Sequence, residues 1–292
     1  GRRAVPRLVE AGHHVTGVAR SADKAAWLRR VGAEPVTMDL FDPAAVRAAV
    51  DGHEVVINLA TNIPPPSRAA RPSAWSDNDR IRSEASRHLV DAAAAAGARR
   101  FVQESIAFIY PEGGDRWIDE DVPLDPPPLG RANVAAEAQA QRFAATGAVG
   151  VVLRFGGFYA WEAAHTRFMR RLARWRLPAM PGPPAAYSPA IAADDAASAV
   201  VASLHAPGGT WNVTDDDPMT RRAFNRMVAD TLGARPPIGT GTTLLRLSPN
   251  TRFYLRSQRV ANRRFKDATG WAPRYPDAAA GWRAMAAEGP TR

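Results

Sequence analysis

The stretch RRFVQES (residues 99–105) reads as a buried strand that ends on two side chains able to do chemistry, Glu104 and Ser105. An isolated buried carboxylate is too costly to persist, so Glu104 must be paired or protonated. No histidine and aspartate are arranged around Ser105 as a Ser-His-Asp triad would need, so it reads as an anchoring hydroxyl or a cofactor contact. The chain has no cysteine, which excludes disulfides, thiolate metal sites and a thiol nucleophile. Its six histidines (His13, His14, His53, His88, His165 and His205) lack HExxH or comparable ligand spacing, and no metal is expected.

The elements that must position these groups alternate. Ala4, Val5, Leu8 and Val9 predict a helix over residues 2–11, followed by a strand over 14–19. Ser21 is a cap for a helix carrying Trp27, Leu28 and Val31, and a strand follows over 34–38. Asp42 and Pro43 read as the N-cap and first residue of the next helix, ahead of the strand EVVINLA over 54–60. A long helix over 79–96, strand 99–105, helix 132–145 and strand 150–155 continue the rhythm. Such alternation predicts a doubly wound α/β fold, a parallel sheet with helices on both faces and ligand at the carboxyl ends of the strands. After Gly157 the regularity breaks, so residues 1–157 are expected to form a nucleotide-type domain. Residues 158–292 are expected to form a smaller substrate-side region, interleaved with late strands and helices and including a helix capped by Thr220.

Composition narrows the partners. Of 38 basic residues all but Lys24 and Lys266 are arginine, and they are spread along the chain, so the net charge of +9 does not point to nucleic acid. No apolar run approaches the roughly 18 residues of a membrane span, and no secretory pattern opens the chain. A cytoplasmic protein acting on a small molecule, without a nucleic-acid or membrane partner, is the expectation.

Several stretches, in one order, resemble the NAD(P)-dependent epimerase/dehydratase branch of the extended or atypical short-chain dehydrogenase/reductase superfamily. They are GRRAVPRLVEAGHHVTGVARS (1–21), DLFD (39–42), INLAT (57–61), AAAAAGARRFVQES (92–105), IDEDVPL (118–124), LRFGGFY (153–159), TWNVTDDDPMTRRAF (210–224) and ATGWAPRYP (268–276). The resemblance implies an NAD(P)-binding Rossmann fold. Gly1 aligns with the third glycine of the family's T-G-x-x-G-x-x-G, so a first strand and two glycines, about a dozen residues, are expected ahead of it. Arg20 and Ser21 stand where NAD-preferring relatives carry an acidic residue. Arg20, assisted by Lys24, suits a 2′-phosphate, which favours NADP with NAD as the alternative. Asp39 and Leu40 fall where the family flanks adenine, Leu59, Ala60 and Thr61 where it lines the dinucleotide, and Phe155, Gly156, Gly157 and Phe158 near the nicotinamide.

The family's proton-transferring Tyr-x-x-x-Lys pair is absent: Leu129 stands for the tyrosine and Asn133 for the lysine. Ile106 occupies the position of the supporting hydroxyl, and Arg82 that of the active-site asparagine. The candidates left for catalysis are Arg82, Glu104, Ser105 and Tyr110, with Gln103, Tyr159 and His165 nearby; Glu104 reads equally as a group that only bonds Arg82. Three readings follow: an oxidoreductase or epimerase-like enzyme with a substituted proton donor, acting on a carbonyl or sugar-like substrate; a non-redox lyase, cyclase or isomerase; and a non-catalytic dinucleotide sensor. Family members often pair through the helices that correspond to 79–96 and 132–145, so a homodimer is expected.

Overall fold

The computed structural model describes residues 1–65, 67–69, 71–247 and 251–288. Helix α1 (Ala4–Glu10) leads into β1 (Thr16–Val18), α2 (Ala22–Arg30), β2 (Glu34–Val36), α3 (Pro43–Val50) and β3 (Val55–Asn58). Next come α4 (Ser76–Arg80), α5 (Ser86–Ala95), β4 (Arg100–Ile106), β5 (Trp117–Ile118), α6 (Arg131–Ala144), β6 (Val149–Phe155) and β7 (Gly157–Tyr159). The remainder is α7 (Ala164–Arg174), β8 (Ala190–Ala192), α8 (Ala193–Ala202), β9 (Gly209–Val213), α9 (Arg221–Thr231), α10 (Thr242–Leu245), β10 (Arg259–Val260), α11 (Arg263–Thr269) and α12 (Ala278–Glu288).

Local chemistry sets the helix starts. The Asp42 carboxylate accepts from Ala44 N (2.9 Å) and Ala45 N (3.3 Å), and Pro43 sits where a helix has no use for an N–H. Ser21 accepts from Lys24 N at 3.4 Å and Thr220 from Ala223 N at 3.3 Å, so both serve as caps.

Strands β3, β4, β6 and β9 form a parallel sheet in that order, and β1 and β2 pair in parallel beside it. Strands β1 and β3 do not pair with each other, and Thr16 Oγ1 and His53 Nε2, 2.8 Å apart, link their starts. Side chains alternate across the sheet. Val102, Val151, Leu153 and Phe155 face α8 and Ala4 of α1, whereas Val56, Phe101 and Val152 face α3, α5 and α6. A further core of Tyr159, Ala173, Phe224, Val228 and Trp282 joins β7, α7, α9 and α12. Among the described residues no helix is long and apolar enough to cross a membrane.

One element differs from expectation. The single helix predicted over 79–96 is α4 and α5 joined by a π turn, Ile81–Ala85. That wider turn carries the buried guanidinium of Arg82 toward β4, where its partner lies.

Candidate active site

The carboxyl ends of β3, β4 and β6 meet the starts of α6 and β7, and the chemistry-bearing side chains gather there in two groups. The first is an ion pair. Arg82 Nη2 lies 2.7 Å from Glu104 Oε2, as a close ion contact more than a well-directed hydrogen bond, and Arg82 Nη1 donates to the Glu104 carbonyl at 3.2 Å. Both side chains are buried. Burial pushes the Glu104 carboxyl up, and Arg82 opposes that shift. The pairing required of Glu104 is therefore present.

The second group is a buried relay on the opposite face of β4. Ser105 Oγ donates to Glu137 Oε1 at 2.6 Å. Arg154 binds the same carboxylate through both oxygens, Nε to Oε1 at 2.9 Å and Nη2 to Oε2 at 2.7 Å, and donates from Nη1 to the Tyr110 hydroxyl at 2.8 Å. That hydroxyl in turn donates to Asn212 Oδ1 at 2.8 Å. Ser105 and Tyr110 are each 0% exposed, which decides their standing: neither presents a free hydroxyl to a reactant. Burial pushes the Tyr110 phenol up to about 12, with Arg154 and Asn212 opposing. Burial also works against the charge on Arg154, but Glu137 and Tyr110 hold its guanidinium firmly protonated. Their hydroxyls are committed to Glu137, Arg154 and Asn212.

The substituted pair sits at the start of α6. Leu129 is buried in the 3₁₀ turn Pro128–Gly130, and Asn133 is 2% exposed with its Nδ2 unpartnered. Glu137 follows Asn133 by one helical turn. A buried amide N–H without an acceptor is a group waiting for one. Beneath Leu59–Thr61, buried Asn58 shapes the loop: Oδ1 accepts from Ala60 N (3.2 Å), while Nδ2 donates to Ser86 Oγ and Gln103 Oε1, both at 3.0 Å.

The remaining cofactor-side residues are spread along this edge. Arg20, Ser21 and Lys24 are exposed together at the end of β1, and Gly1 is exposed, its carbonyl accepting from Ala4 N and Val5 N. Asp39 accepts from Phe41 N at 2.9 Å, and the Leu40 carbonyl contacts His88 Nδ1 at 3.1 Å. Phe155 stacks obliquely on Phe158 at 5.3 Å. Gly156 has a structural reason to be glycine, since a Cβ there would meet the backbone of Ala190 at 2.9 Å. Gly157 donates to the Pro189 carbonyl at 3.0 Å. Tyr159 donates to Asp215 Oδ2 at 3.3 Å, and His165 Nε2 contacts the Phe158 carbonyl, so both are engaged locally.

Glu137, Arg154, Asn58 and Asn212 were not singled out from the sequence. Arg154, inside the apolar strand GVVLRF, carried the same signal as Glu104: a buried charge demands a partner.

This parallel sheet, with a buried amide donor on α6, fits a nucleotide-binding protein, and residues 1–207 match a family described as NAD(P)H-binding. The chain belongs to that family. The 3-diazoavenalumate denitrifying reductase of a Streptomyces species is 35% identical over 295 residues, covering 94% of this chain and 93% of that one. Among solved structures, Thermus thermophilus UDP-glucose 4-epimerase with NAD superposes with a TM-score of 0.79 at 19% identity, covering 100% of this chain and 96% of that one. A human epimerase family protein with NADPH gives 0.80 at 23%, covering 97% and 95%. These two likenesses show the fold.

Proposed function

We propose that this protein is an NADPH-dependent reductase of a small arenediazonium compound, a substrate in which hydride replaces dinitrogen without needing a proton from the chain. The observation that carries the reading is the pair Leu129 and Asn133, neither of which can transfer a proton, beside hydroxyls of Ser105 and Tyr110 already committed to buried partners. Reducing a carbonyl makes an oxyanion that must be protonated, and the superfamily's tyrosine exists for that. A diazonium carbon needs no such help: it gains hydride, loses dinitrogen, and the positive charge is discharged. The relative at 35% identity is by its name a reductase that removes nitrogen from a diazo acid, which supports the same class.

The bound cofactor would supply the hydride. The chain's own part is to hold and to exclude. Arg20 and Lys24 suit the 2′-phosphate of NADP, Asp39 and Leu40 the adenine side, and Leu59–Thr61 the dinucleotide, in the places the superfamily uses. Phe158, half-buried against the core residue Phe155, would stand on the nicotinamide side, and Asn133 offers its spare N–H. Leu129 keeps water from the place where an acid usually stands. We assign its work to the cytoplasm.

The test is a substrate panel with purified protein and NADPH. Arenediazonium acids are expected to consume cofactor well above a heat-denatured control, and faster with NADPH than with NADH, while matched aldehydes and ketones give nothing. Turnover of the carbonyls without turnover of the diazonium compounds would sink the reading.

A further inference from the structure

Arg221, the first residue of α9, is among the largest fully buried side chains of the protein at 2% exposure. Its Nη2 donates to the Arg256 carbonyl at 2.8 Å, but Nε and Nη1 have no acceptor, and no carboxylate pairs with it among the described residues. Burial pushes this guanidinium down to about 10, opposed by Tyr254 and Glu112. Glu112 is itself occupied, accepting from Gly114 N at 2.9 Å and Ser257 N at 2.7 Å. A buried cation left without a counter-ion costs several kcal/mol, roughly what breaking a buried ion pair does.

An orphaned group near it is a donor too. Three segments are woven together at this point: Tyr187 bridges Thr220, Gln258 N donates to the Tyr187 carbonyl (3.0 Å), and Arg221 N donates to the Ala186 carbonyl (2.9 Å). Within that weave Ser188 Oγ is also buried without a partner, while the Arg259 guanidinium lies over the Trp117 and Tyr187 rings. Aromatic rings adjoin: Phe253 lies 4.0 Å from Tyr254 and 5.4 Å edge-on from Phe108, just beyond the carboxyl end of β4. Arg256 and Gln258 both donate to the Tyr110 carbonyl, at 3.0 and 2.6 Å, tying the weave to the candidate active site. Gly182 (φ +130°) passes so close that a Cβ would press on the Tyr254 carbonyl and on Arg221.

We infer that Arg221, with Ser188, forms an anion site that takes the carboxylate of a small aromatic acid. As the place that anchors the substrate this rests on the reductase reading; as a carboxylate site it stands alone. Binding requires the turn Arg252–Leu255, which carries Tyr254 against the guanidinium, to move aside.

The test is calorimetric titration of the protein with benzoate, benzamide and inorganic phosphate, followed by NADPH, for wild type, Arg221→Met and Arg221→Lys. Benzoate is expected to bind wild type at least about tenfold more tightly than benzamide or phosphate, with the preference lost in Arg221→Met and reduced in Arg221→Lys. Because it deletes an unpaired buried charge, Arg221→Met is expected to melt no lower than wild type; a merely structural arginine would lower the melting temperature. Equal binding of benzoate and benzamide, tighter binding of phosphate, no benzoate binding at all, or a preference that survives Arg221→Met overturns the site. Failure to bind NADPH while benzoate still discriminates overturns the reductase reading and leaves the carboxylate site in place.

Discussion

Arg154 holds together what the sequence kept apart. Its carboxylate partner lies 17 residues upstream on α6 and its phenolic partner 44 upstream beyond β4, so no local spacing announces the contacts. What was legible was the need: Glu104 and Arg154 both sit in apolar strands and had to be paired. For Glu104 the partner Arg82 was reachable only through the superfamily alignment, because the π turn that delivers it has no sequence signal of its own. Removing one member of the second pair, as in Glu137→Gln, leaves Arg154 buried and uncompensated, and urea unfolding should show a loss of about 3–5 kcal/mol. Tyr110→Phe deprives Arg154 and Asn212 of a partner and should cost about 1–3 kcal/mol, yet leave turnover per folded molecule within about twofold of wild type. A proton-donating tyrosine would lose orders of magnitude. Asp215 gives a pH test. Burial raises its carboxyl well above the ordinary value, Tyr159 opposes, and Asp195 and Asp277 add to the rise. The folded state therefore holds this proton more tightly than the unfolded chain, and the stabilisation is lost as pH rises through the folded value. Asp215→Asn should gain on wild type in urea midpoint as pH rises above about 4; a constant difference would contradict the assignment.

At the level of elements, α6 sets the site because it lies so close to β6. Gly150 permits this: a Cβ there would strike the Ala140 carbonyl and press Ala144 Cβ at 3.1 Å. Gly150→Ala should push the helix bearing Asn133 and Glu137 outward, costing about 1–3 kcal/mol by thermal denaturation and weakening NADPH binding in the same sample. Helix starts were legible because a cap is short-range chemistry, as at Ser21, Asp42 and Thr220. The alternating strands of the parallel sheet were legible for the same reason: periodicity is local. The orphan donors of Arg221 and Ser188 were not, since they exist only where segments some 35 to 70 residues apart close on one another.

Over the whole molecule, a ligand that binds only the folded state adds stability by mass action, about 2.7 kcal/mol at a hundredfold excess over its dissociation constant. NADPH should therefore raise the melting temperature more than NADH does, and Arg20→Glu should reverse that order if Arg20 reads the 2′-phosphate. On the reading proposed above, this Rossmann scaffold dispenses with a proton donor because its substrate does not need one. The most direct measurement is the stoichiometry of turnover, dinitrogen released against NADPH oxidised, with an arenediazonium acid in wild type and Tyr110→Phe. The account predicts one dinitrogen per NADPH in both proteins. Dinitrogen release without cofactor oxidation, or a collapse of turnover in Tyr110→Phe that remains folded, would contradict it.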